Sequence, residues 1–120
     1  MDVHGWQRLT MSYQVSVRIA TGSEHDLVLC DIGNYTDNVE EMWNTAFFPS
    51  TLLALNGVLA STAAITLATA INNMRSSPGT YRSLRGSGSL GDYEGALDYL
   101  VRLRQCCLEH PLGTVTIVRH

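Results

Sequence analysis

The sequence predicts a small α+β domain of two layers, a three-stranded and mostly antiparallel sheet with helices on one face. Three observations lead there. Residues 12–20 and 114–119 alternate apolar and polar side chains at period two, as half-buried strands do. Residues 60–76 and 92–109 repeat apolar side chains at spacings of three and four, as helices with one buried stripe do. At 120 residues, the chain suffices for a single modest core. The elements run β-β-α-(α)-α-β. The last strand is expected beside the first, because both are strongly apolar on one face, which gives the strand order 2-1-3. So small a sheet leaves edge strands, and a homodimer through an edge or a helix face is an expected partnership.

Met11-Ser12-Tyr13 resembles an alternative start, so residues 1–10 read as an N-terminal extension and 11–120 as one domain. Asp2, His4, Gln7 and Arg8 interrupt any apolar run that a secretory signal would need. In the first strand Tyr13, Val15, Val17 and Ile19 share a face, opposite Gln14, Ser16 and Arg18. Thr21-Gly22-Ser23-Glu24 supplies a hairpin turn. A second strand follows over 26–32, apolar on both faces at its centre.

The chain pivots at Gly33-Asn34-Tyr35-Thr36-Asp37-Asn38. Glycine and asparagine tolerate positive φ, so a sharp turn is expected at 33–34. Thr36 or Asp37 is placed to cap a helix over 37–47, and Asp37 with Glu40 has capping-box spacing. Val39, Met42, Trp43 and Ala46 then follow at helical spacing. Pro49 ends that helix, Ser50 is placed to cap a short turn through Leu55, and Asn56-Gly57 closes it. The second long helix opens at Ala60 or Ser61 and stops at Pro78-Gly79, with Arg75 in its last turn. Tyr81 and Leu84 suit one further helical turn before the flexible Gly86-Ser87-Gly88-Ser89 tract. Ser89 with Asp92, or Asp92 itself, caps the last helix, whose stripe is Ala96, Leu100, Leu103 and Cys107, flanked by Tyr93, Leu97 and Leu108.

A net charge of −3 and a pI near 5.7 argue against nucleic-acid binding by phosphate neutralisation. Phe47 to Ile71 contains no charge, yet Pro49, Asn56 and Gly57 break it and its serines and threonines make it polar, so no membrane span is expected. Cys30, Cys106 and Cys107 are odd in number and show no zinc spacing, so they are read as reduced thiols in a cytoplasmic protein with no metal or cofactor. Gly86-x-Gly88 follows a helical segment rather than a strand, which does not fit a dinucleotide loop. Free N–H groups at the start of the last helix suit an anion, although Asp92 and Glu94 already place carboxylates there. Neither a nucleophile elbow nor H-E-x-x-H occurs, and no enzyme is expected.

Gly33-Asn34-Tyr35-Thr36 with Asn38 and Met42-Trp43, then Tyr81-Arg82 and Gly91-Asp92-Tyr93-Glu94-Gly95-Ala96-Leu97, resemble a family of small uncharacterised proteins of actinobacteria and their phages. The resemblance covers most of residues 11–118. It implies that the segment after the second strand and the start of the last helix sit together, and it brings no activity. Arg85 to Leu90 departs from the Asn/Pro/Trp-containing loop expected of that family.

Two functions from different classes follow, beside a structural reading in which both motifs only cap and pack and the functional surface lies elsewhere. The first is a non-enzymatic interaction protein, a phage- or mobile-element-borne accessory factor engaging a host protein, with Trp43 as an exposed apolar anchor. The second is a binder of a small, polar, nucleotide-like ligand, held between Asn34, Tyr35, Thr36 and Asn38 on one side and Asp92, Tyr93 and Glu94 on the other.

Overall fold

The computed structural model describes residues 12–22, 26–36, 39–84 and 92–119. The expected extension at 1–10, the glycine-serine tract, Asp37 and Asn38 lie outside the described residues. The fold is α+β, with the elements β1 (Ser12–Ile19), β2 (Leu27–Thr36), α1 (Glu40–Phe47), a short 3-10 helix (Leu52–Leu55), α2 (Ala60–Ser76), α3 (Pro78–Arg82), α4 (Tyr93–Glu109) and β3 (Thr114–Arg119). The strand order is β2-β1-β3 and both pairings are antiparallel, as the sequence predicts.

The period-two pattern of β1 fixes its two faces. Tyr13, Val15 and Val17 are buried against the helices, together with Val115 and Ile117 of β3. Onto that face α1 brings Met42, Trp43 and Ala46, and α2 brings Ala60, Ala63, Leu67, Ala70 and Met74. From α4 come Ala96, Tyr99, Leu100, Leu103 and Cys107, whereas Leu108, expected on its flank, is half exposed. The many alanines of α2 let it lie close against α4. The two helices are antiparallel, since Tyr93 donates to the Met74 carbonyl at 2.7 Å while Ala60 donates to Gly113 at 2.8 Å at the other end.

The outer edge of β3 is covered by the segment that leads into α2. Gly57 donates to the Val115 carbonyl, Val115 donates back to Val58, and Ile117 donates to the Asn56 side chain, all at 2.8–2.9 Å. Gly57 has φ +84°, the left-handed backbone that the Asn-Gly pair was expected to supply. Among the described residues, no strand pairs with the outer edge of β2.

Four local expectations are corrected. The chain does not turn at Gly33-Asn34; β2 continues through Thr36, and only Gly33 takes positive φ, at +81°. Gln14 pairs with Asn34 and Ser16 with Asp31, so Val15 faces both Ile32 and Gly33 across a bulge. Helix α1 begins at Glu40 with Val39 as its cap and no side-chain cap bond, because Thr36 is still in the strand. The 3-10 helix is likewise preceded by Thr51 rather than capped by Ser50. Finally, Cys30 and Cys106 form a disulfide from β2 to α4, their Cα atoms 5.9 Å apart, and only Cys107 is a free, buried thiol. Three reduced cysteines were expected from their odd number and lack of zinc spacing, but the fold brings together two that lie 76 positions apart, and the ground for expecting a cytoplasmic location goes with that reading. No described helix is long and apolar enough to cross a membrane.

Candidate functional site

The two sequence motifs do meet, and they meet at Tyr35. Its ring is half-buried against Trp43 and Tyr99, with centroids 5.9 and 5.4 Å away, and Tyr13 completes the cluster against Trp43 at 5.4 Å. Its hydroxyl lies over the first turn of α4, where a Cβ on Gly95 would overlap it. Glycine is therefore required at 95 by close approach rather than by backbone conformation. Burial raises the Tyr35 phenol above its ordinary pKa, and the negative charges of Asp92 and Asp98 act in the same direction.

The groups of the second motif are committed to bonds within the chain. Asp92 accepts from the Gly95 amide at 2.7 Å and caps α4, which satisfies the helix end that an anion would otherwise take. Tyr93 is buried and spends its hydroxyl on Met74. Glu94 pairs with Arg82, whose guanidinium also stacks on the Tyr93 ring, 4.8 Å from its centroid. That pairing lowers the Glu94 carboxyl below the usual range and raises Arg82. A shallow hollow of about 460 Å³ remains between Arg82, Asp92, Tyr93 and Glu94.

The first motif is split by the pleat of β2. Asn34 pairs with Gln14 on the sheet face away from the helices, whereas Tyr35 pairs with Tyr13 on the helix face. Thr36 ends the strand and Asn38 lies outside the described residues. Trp43 is fully buried and donates its indole N–H to the Ala96 carbonyl at 3.2 Å. It is a core residue, so the exposed anchor expected at this position is not there. Where the two motifs meet, at Tyr35, Trp43 and Gly95, the described residues form a packed junction, and the hollow between Arg82, Asp92, Tyr93 and Glu94 is lined by no residue of the first motif.

Two surface features lie outside both motifs. One is the outer strand β2, which the expected strand order already placed at an edge and where Leu27 and Val28 are 54% and 44% exposed. The other is an open groove of about 300 Å³ between α2 and α4, with Asn72 and Arg75 on one wall and Arg104 and Gln105 on the other. Among the described residues, no group of three or more histidine, cysteine or carboxylate side chains is placed to hold a metal. Compared with protein-family models, with curated proteins and with solved structures, the chain matches none. Functional argument therefore rests on geometry.

Proposed function

We propose that the chain is a small non-catalytic binding protein that receives an extended segment of a protein partner along the outer edge of β2. The supporting observation is the asymmetry of the sheet. Backbone bonds among Gly57, Val58 and Val115 cover the β3 edge, while no described strand pairs with the outer edge of β2 and the consecutive residues Leu27 and Val28, one on each face, are exposed at its start. Exposed edge strands recruit extended chains through main-chain hydrogen bonds, with side chains setting selectivity. The strand is also held in place from behind. The Cys30–Cys106 disulfide, the Tyr99 hydroxyl on Gly33 and the Arg102 guanidinium on Ile32 fasten it to α4. A partner strand then meets an edge already ordered, which lowers the entropic cost of association.

The test is cross-linking and mass spectrometry of complexes formed by the native chain, compared with Leu27→Lys and Val28→Lys. Edge lysines oppose strand addition, and both positions are exposed enough for the variants to fold. A partner lost in both lysine variants supports the reading, and so does a second copy of this chain lost from a dimer. A partner retained equally by both variants overturns it.

A further inference from the structure

We infer that the groove between α2 and α4 is a binding site for a small organic oxyanion, with Arg75 and Arg104 taking the charged head. This goes beyond strand addition at β2. Four described arginines are engaged by side chains elsewhere: Arg18 with Ser16, Arg82 with Glu94, Arg102 with Asp98 and Arg119 with Glu40. Arg75 and Arg104 have no such partner among the described residues, and both line the groove. The Arg104 Nε is buried with no hydrogen-bond partner, an arrangement that native structures avoid unless something outside the chain supplies the acceptor.

The surroundings favour an anion. Helix α2 carries no carboxylate, and Arg75 is its single charge. The nearby carboxylate of α4, Glu109, is held one turn away by the Gln105 amide at 3.0 Å. Two cationic forks thus face one groove in a chain whose net charge is −3. Guanidinium groups bind carboxylate and phosphate oxygens bidentately, and Asn72 adds a neutral donor. The floor is apolar, formed by Ala68, Ile71 and Val101. A volume of about 300 Å³ is at the small end for ligand sites, which suits a head group with a short apolar body.

The test is an NMR titration of the full chain with hexanoate and, separately, with inorganic phosphate, read at the Arg104 Nε–H and the amides of Asn72, Arg75 and Gln105. Saturable shifts confined to those positions are expected with one probe or both. Preference for hexanoate assigns a carboxylate with an apolar tail, and preference for phosphate a phosphate head. Arg75→Gln and Arg104→Gln should each weaken binding about tenfold, equal to about 1.4 kcal/mol. Arg82→Gln, which removes the same charge from a residue outside the groove lining that pairs with Glu94, should leave it within about twofold. Should Arg104→Gln fail to fold, Arg75→Gln, at an exposed position, carries the test alone. Absence of saturable shifts with either probe overturns the proposal, as does equal weakening by Arg82→Gln, which would mean attraction to net charge alone.

Discussion

The Tyr99 hydroxyl donates to the Gly33 carbonyl at 2.7 Å and thereby joins the middle of α4 to the bulge in β2. The bulge frees backbone groups that a regular ladder would pair, and a buried free group is costly. The phenol thus serves the irregularity from a position with no exposure to solvent.

Tyr99→Phe leaves the Gly33 carbonyl without that partner. The expected loss is about 1–3 kcal/mol, read as a lower urea midpoint with an unchanged slope. An unchanged midpoint would mean that water or a register shift replaces the hydroxyl.

Gly95→Ala distinguishes local propensity from packing. In an exposed helix this change stabilises by about 1 kcal/mol. Here the added methyl meets the Tyr35 hydroxyl and the Asp92 carboxylate, so the expected sign is destabilising. In a Tyr35→Phe background the penalty should shrink or reverse, a non-additivity that a double-mutant cycle measures directly.

Alkaline pH should destabilise the fold. Burial pushes the Tyr99 phenol up to about 12 and the Cys107 thiol up to about 11. Both groups bind their proton more tightly folded than unfolded, so their stabilising effect is complete below the unfolded values, about 10 and about 9. It is lost as pH rises through the folded ones, at about 1.4 kcal/mol per pH unit for each group while it titrates. Urea midpoints should fall from about pH 9 upward, and Tyr99→Phe should flatten the part above about pH 10. A pH-independent midpoint across that range contradicts the assignment.

The disulfide closes a loop with a sequence separation of 76. Under denaturing, non-reducing conditions one thiol per chain should react with iodoacetamide, and three after reduction. Reduction should cost about 2–5 kcal/mol of stability. Three reactive thiols without reductant would exclude the pairing.

What was legible in the sequence is what repeats locally. Alternation in residues 13–19 and the stripe Ala96, Leu100, Leu103 and Cys107 each specify one buried face without reference to the rest of the chain. Asp92 was legible as a cap because the amide that donates to it, that of Gly95, lies three residues away. Gly33 was not, since positive φ serves a turn and a bulge alike, and Val15 on another strand decides between them. The Cys30–Cys106 pairing depends on which face of β2 meets α4. Arg75 and Arg104 each look like a surface arginine until antiparallel packing of their helices brings them to one groove. At Tyr35, Trp43 and Asp92 the two motifs pack and cap, a reading the sequence left level with binding because capping and ring stacking use the same residue types as ligand binding.

The cover that residues 56–58 place on β3 also limits what the sheet can build. A sheet open on both edges can add copies without end and grow into a fibre. Among the described residues, this one leaves a single side unpaired. Two copies meeting edge to edge would use up the only free side that each described sheet offers, and the continuous sheet would stop at six strands. Growth would end at a closed pair related by a twofold axis.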